Sequence, residues 1–140
     1  MGVERVAIAL GSNLGDRART LASARAAIGA LPESALVRAS EVEETAPVGP
    51  VPQGPYLNQM LLVDTALAPR ALMDALLTIE RDHGRERRER WGPRTLDCDI
   101  VLFGSRSVQE RDLVIPHPEL PRRDFWRREL QALDVQLPVG

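Results

Sequence analysis

Residues 96–103 read LDCDIVLF, and this alternation decides how the chain folds. Side chains of a strand leave by its two faces in turn, so Leu96, Cys98 and Ile100 are predicted to enter a core while Asp97 and Asp99 project together from the opposite face. Gly104 ends the run. Upstream, Arg85 to Thr95 holds five Arg and a Gly-Pro pair and reads as a charged loop. Before it, Leu72, Leu76 and Ile79 recur at helical spacing, with Pro69 suited to a first helical position and Gly84 to the C-terminal stop. Tyr56 to Leu67, YLNQMLLVDTAL, is the longest strand candidate and belongs in the middle of a sheet.

Nearer the N-terminus, Ala46 to Pro55 packs four prolines and two glycines into ten residues, too many for regular structure, and reads as an exposed loop. Ala35 to Thr45 is a weaker strand with Glu41 and Glu43 at outward positions. A helix opening near Asp16 carries Leu21, Ala24, Ile28 and Leu31 on one side and ends by Pro32. Arg5 to Leu10 is a buried first strand that runs into a turn cluster, Gly11-Ser12-Asn13. Beyond the LDCDIVLF run, short strands are expected around Ser107 and at Leu113 to Ile115, then a helix within Asp124 to Leu133 using Trp126, Leu130 and Leu133. Strand, helix, strand, strand, helix, strand is the order of an α+β, ferredoxin-like sandwich, with a mainly antiparallel sheet and helices packed on it. At 140 residues the chain is expected to be a single domain, 1–140.

Composition narrows the chemistry. All 18 basic residues are Arg, which removes the Lys-dependent phosphate loop, the protein-kinase site and pyridoxal chemistry. Cys98 is the only cysteine, so neither an internal disulfide nor a cysteine zinc cluster can form. No stretch approaches the roughly 20 apolar residues of a membrane span. The chain enters directly on the apolar run Val6 to Leu10 without a basic leader, so no membrane and a cytoplasmic location are expected. A net charge of −2 with 4% aromatic residues argues against nucleic acid, whose affinity is bought with phosphate neutralisation and base stacking. No exposed apolar stripe demands a partner, so a monomer is the default expectation.

Two carboxylates on one strand face repel unless a cation lies between them, and their oxygens suit Mg²⁺. Arg85, Arg87, Arg90 and Arg94 precede the pair, which sets a metal site beside anion-binding side chains and suits a polyphosphate. Trp91 must pack on the sheet or stack on a ligand. Tyr56 and Asn58 share a strand face and, with Phe125, either build a slot for a flat heterocycle, which an amide that donates and accepts at once would suit, or make ordinary edge packing. His117, pinned in Ile115-Pro116-His117-Pro118, can bond a phosphate oxygen. A nucleotidyltransferase that pairs Gly-Ser with Asp-x-Asp is a second reading, weakened by the distance in sequence between Ser12 and Asp97. A non-catalytic ferredoxin-like module that binds nucleotide or RNA through the Arg loop is a third; it would have no use for a metal-bridging pair.

The segment Arg90 to Ile100, RWGPRTLDCDI, closely resembles the RWGPRxxDxDI signature of the 6-hydroxymethyl-7,8-dihydropterin pyrophosphokinase family. Ala9 to Gly15 (ALGSNLG), Tyr56-Leu57-Asn58 and Ile115-Pro116-His117-Pro118 resemble further motifs of that family in the same order. The resemblance implies transfer of pyrophosphate from ATP to the pterin's hydroxymethyl oxygen in folate biosynthesis, with release of AMP. It implies two Mg²⁺ ions on Asp97 and Asp99 and catalytic roles for Arg85 and Arg94. Arg85, Arg87, Trp91, Arg94, Ile100, His117 and Arg123 would meet ATP; Thr45, Val48, Tyr56, Asn58, Trp91 and Phe125 would meet the pterin. The chain departs from the family after Phe125, where Trp126-Arg127-Arg128-Glu129-Leu130 replaces an apolar run and a Pro-Leu pair.

Overall fold

The computed structural model of the protein describes residues 2–47, 53–84 and 95–137. β1 (Glu4–Ser12) leads into α1 (Arg17–Gly29), where the Asp16 carboxylate accepts the Arg19 amide at 3.1 Å and so caps the first turn. β2 (Ser34–Ala39) and β3 (Glu43–Thr45) precede β4 (Tyr56–Thr65). α2 (Pro69–Asp82) starts on its proline, which has no amide to leave unpaired, and is closed by Gly84 at φ +81°. β5 (Asp97–Phe103), the hairpin strands β6 (Val108–Glu110) and β7 (Leu113–Ile115), a 3₁₀ turn at Leu120–Arg122 and α3 (Asp124–Ala132) complete the order.

The main sheet runs β2-β4-β1-β5, and β3 joins β4 beyond β2 on the same side; every pairing is antiparallel. This is the expected ferredoxin-like arrangement. Val6, Ile8 and Leu10 of β1, with Leu61, Val63, Cys98 and Ile100, pack against Leu21 and Ile28 of α1 and Leu72, Leu76 and Ile79 of α2. Ala7, Ala9, Met60, Leu62, Val101 and Leu102 leave by the other face and meet Trp126 and Leu130 of α3. The helices therefore cover both faces, α1 and α2 on one and α3 on the other. No helix among the described residues is long and apolar enough to cross a membrane.

Three local expectations change. β1 does not turn at Gly11-Ser12, because Gly11 is paired on both sides, with Asn58 and Asp97, and Ser12 lies opposite Leu57. The strand expected over Ala35 to Thr45 is divided at Ser40. There the Ser40 hydroxyl, in place of a backbone carbonyl, accepts the Met60 amide at 2.9 Å, and the Ser40 amide donates to the Met60 carbonyl at 2.8 Å. Glu41 is exposed as expected, but Glu43 is half-buried against α3, where Arg128 holds it.

Candidate active site

The face of the sheet that carries α3 is cut by a row of small residues. Ala7, Ala9 and Gly11 of β1 lie between β4 and β5, so the larger side chains on either side stand above a trough. Asn58 and Asp97 flank Gly11, and Met60 and Asp99 flank Ala9. Glycine leaves room at the upper end, since a Cβ on Gly11 would press on the slot side chains, 3.3 Å from Asn58 Oδ1 and 3.4 Å from Tyr56 Cδ2. Asp97 and Asp99 emerge on this face because Cys98 and Ile100 are drawn into the core on the other.

Two features steady the aspartates. From α2, the buried Glu80 accepts the amide of Cys98, between them, at 2.7 Å on Oε2. This satisfies a donor on β5, an edge strand of the sheet. From the other side, His117 Nε2 stands 3.5 Å from Asp99 Oδ1. His117 Nδ1 accepts the Glu119 amide at 3.0 Å, so the neutral ring carries its proton on Nε2, toward Asp99. The His117 amide donates to the Val101 carbonyl at 3.0 Å, anchoring the segment that follows the cis Ile115–Pro116 bond. Trp126, 2% exposed, meets the His117 ring edge-on at a centroid distance of 5.0 Å and carries the Arg123 guanidinium 4.5 Å above its own ring centre.

Across the trough, Asn58 Nδ2 donates to Thr45 Oγ1, and the Thr45–Tyr56 and Glu43–Asn58 pairs share this face. Phe125 packs on the same face from α3, edge-on to Trp126. The described ends of the Pro-rich loop are fastened to this rim. Arg17 Nη1 donates to Glu44 Oε2 at 3.2 Å and to the Pro55 carbonyl at 2.8 Å, while Asn13 Nδ2 reaches Gln53 Oε1 at 2.7 Å and the Gly54 carbonyl at 3.1 Å.

Thus Thr45, Tyr56, Asn58, Asp97, Asp99, His117, Arg123 and Phe125 are gathered on or against one sheet face. Ile100 is not; its side chain is core on the opposite face. It also lines a cavity of about 230 Å³ at the β5 edge, together with Met73, Cys98, Asp99, Leu113 and His117. Val48, Arg85, Arg87, Arg90, Trp91 and Arg94 lie outside the described residues. Sequence reading passed over Glu80 and Trp126 as site residues. Glu80 had a signal, since an acid four residues after Leu76 falls on the apolar stripe of a helix and must find a partner there.

Asp97 and Asp99 supply only hard oxygen donors, and among the described residues no group of three or more His, Cys, Asp or Glu side chains forms a metal cage. That set fits Mg²⁺, which keeps waters and shares phosphate oxygens. The sequence profile of the family described as 7,8-dihydro-6-hydroxymethylpterin-pyrophosphokinase matches residues 7–135, from β1 to beyond α3. The chain belongs to that family. Among its relatives, the 2-amino-4-hydroxy-6-hydroxymethyldihydropteridine pyrophosphokinase of Pseudomonas aeruginosa is 42% identical over 99% of this chain and 86% of its own length. Its counterpart in Bacillus subtilis is 40% identical over 93% of this chain and 78% of its own length. That of Haemophilus influenzae is 42% identical over 84% of this chain and 74% of its own length. Membership of the pyrophosphokinase family favours a diphosphotransferase over the nucleotidyltransferase and binding-module readings.

Proposed function

We infer that the chain is a folate-biosynthesis pyrophosphokinase that transfers pyrophosphate from ATP to the hydroxymethyl oxygen of 6-hydroxymethyl-7,8-dihydropterin and releases AMP. The observation that carries this reading is the placement of a carboxylate pair and a ring-amide slot on opposite banks of one trough floored by Gly11 and Ala9. Asn58, fixed by Thr45, offers both amide donor and carbonyl acceptor to the edge of the pterin, with Tyr56 and Phe125 against its faces. The triphosphate then lies on the Asp97 and Asp99 bank and presents its β-phosphorus to the hydroxymethyl oxygen. That oxygen bonds to the β-phosphorus as the bridge to the α-phosphate breaks; the bridging oxygen leaves on AMP and the hydroxyl proton passes to solvent.

Two Mg²⁺ ions held by Asp97 and Asp99 would neutralise phosphate charge as the bridge opens. Nε2–H of His117 directs a donor at Asp99 and the phosphate side of the trough. The cavity that Ile100 and His117 share is of a size for one flat ring system and suits the base of ATP. Arg123, stacked on Trp126, presents its charge from the α3 side. Arg85, Arg87, Trp91 and Arg94, with Val48 on the pterin side, complete the site on the strength of the family motif. A single domain over 1–140, a monomeric state and a cytoplasmic setting belong to the same reading.

Incubation with ATP, Mg²⁺ and the hydroxymethyl dihydropterin is expected to yield AMP and pyrophosphorylated pterin in equal amounts. ADP, or free pyrophosphate with a nucleotidylated product, would overturn the reaction.

A further inference from the structure

The C-terminal helix α3 carries a buried acid outside the site described above. Glu129, one helical turn after Phe125 on α3, is 5% exposed. It faces a groove of about 480 Å³ between α3 and the β2–β3 rim. Neither of its carboxyl oxygens, both buried, receives a hydrogen bond. The charged groups around it are Arg38 from β2, Glu41 from the β2–β3 link, Glu43 from β3 and its neighbour Arg128. Neither cation serves Glu129. Arg38 donates to the Leu133 carbonyl at 3.2 Å and pairs with Asp134 at 3.5 Å, and Arg128 Nη2 divides itself between the two Glu43 oxygens at 3.2 Å each.

A carboxylate in that position would be buried, unbonded and beside a second carboxylate, which is costly on every count. As a neutral acid it becomes a donor, and Glu43, which lines the same groove, offers a carboxylate acceptor. Burial first and the Glu43 carboxylate second raise its pKa from 4.5 to about 9. Glu43 is directly across the strands from Asn58, and Glu129 is one turn from Phe125, so a bond across this groove would join the two walls of the pterin slot.

We propose that Glu129 is a positioning residue that works as a carboxylic acid: its proton, shared with Glu43, fastens α3 to β3 and holds Phe125 over the Thr45–Asn58 slot. The effect on substrate rests on the pterin reading; the fastening does not. The test measures KM for the hydroxymethyl dihydropterin and for ATP, and the thermal midpoint, from about pH 5 to pH 10 in wild type, Glu129→Gln and Glu43→Gln. The raised acid stabilises the fold below pH 4.5 and loses that contribution as pH rises to about 9. The wild-type midpoint should therefore fall across that window relative to Glu129→Gln and run parallel to it above.

In the native protein the proton itself leaves near pH 9, where wild-type KM for the pterin should rise about fivefold, the worth of one net hydrogen bond, with KM for ATP unmoved. Glu129→Gln keeps a donor to Glu43 and lacks the proton, so its pterin KM should follow no such step; the substrate's own ionisation is common to both proteins and cancels. Should Glu129→Gln not fold, Glu43→Gln decides: it removes the like charge, so the step moves to lower pH, and a step that stays in place overturns the proposal. Parallel midpoints throughout overturn the shared proton. A midpoint difference with identical KM profiles overturns the positioning role but leaves the pyrophosphokinase reading standing. Failure to form the pyrophosphorylated pterin overturns that reading and, with it, the positioning role, while the midpoints still judge the fastening.

Discussion

Glu80 offers a test of how the Asp97 and Asp99 face is held in place. Its carboxylate, 4% exposed on α2, accepts the Cys98 amide at 2.7 Å between the two aspartates. Glu80→Ala removes a hydrogen bond to a charged group, worth about 1.5–3 kcal/mol, and leaves a buried donor unmade. Relief of the carboxylate's own desolvation offsets part of this, so a net loss of about 2 kcal/mol is expected. Glu80→Gln keeps a carbonyl acceptor of the same reach, and since a neutral bond is about half as strong as a charge-assisted one it should lose about 1 kcal/mol. Without the restraint β5 is free to shift on its outer side, and a misplacement of about 1 Å at the reacting groups costs about 100-fold in rate. The proposed pterin slot lies on β3, β4 and α3, so KM for the pterin should hardly change. Urea unfolding gives the stability arm, and steady-state AMP release at saturating substrates gives kcat. A destabilised Glu80→Ala protein with wild-type kcat would refute the link between this bond and the aspartates; wild-type stability would refute the value assigned to the bond itself.

Three further outcomes are expected. Asp97→Asn should lower kcat by about a thousandfold or more while the protein stays folded, because it removes one carboxylate of the proposed metal pair; retained turnover would reduce the pair to surface charge. Gly11→Val places atoms where a Cβ alone is already 3.3 Å from Asn58 Oδ1, so pterin KM should rise about tenfold or more with ATP KM little altered, and the reverse pattern would move the slot elsewhere. Trp126→Ala empties a site 2% exposed beneath Arg123 and beside His117; a loss of about 3–5 kcal/mol in urea unfolding is expected, and a loss under about 1 kcal/mol would mean that α3 contributes little to the second core.

The features legible in the sequence are those whose cause is local. Alternation alone placed Asp97 and Asp99 on one face of β5, and Pro69 and Gly84 marked the ends of α2, because side-chain direction and φ restriction act within a few residues. The order of elements was enough for the sheet topology, since strand–helix–strand units of this length have few ways to close. Local patterns misjudged the end of β1, where pairing on both sides carried the strand through Gly11, and the middle of Ala35 to Thr45, where a serine hydroxyl entered the ladder.

What the sequence by itself determined is the chemistry available: a paired carboxylate, an amide at the slot, no lysine, and a family motif that names the reaction. Only the tertiary structure decided which groups face one another. Gly11 became the floor of a trough because β1 lies between β4 and β5, and Glu80 became a support for the strand between the two aspartates because α2 lies under the edge of β5. Glu43, placed outward by alternation, came to share a groove with Glu129 because α3 packs on the sheet's second face. Hydropathy and spacing report how a residue stands to its own backbone; burial, and with it the protonation of a carboxyl, depends on what another segment brings against it.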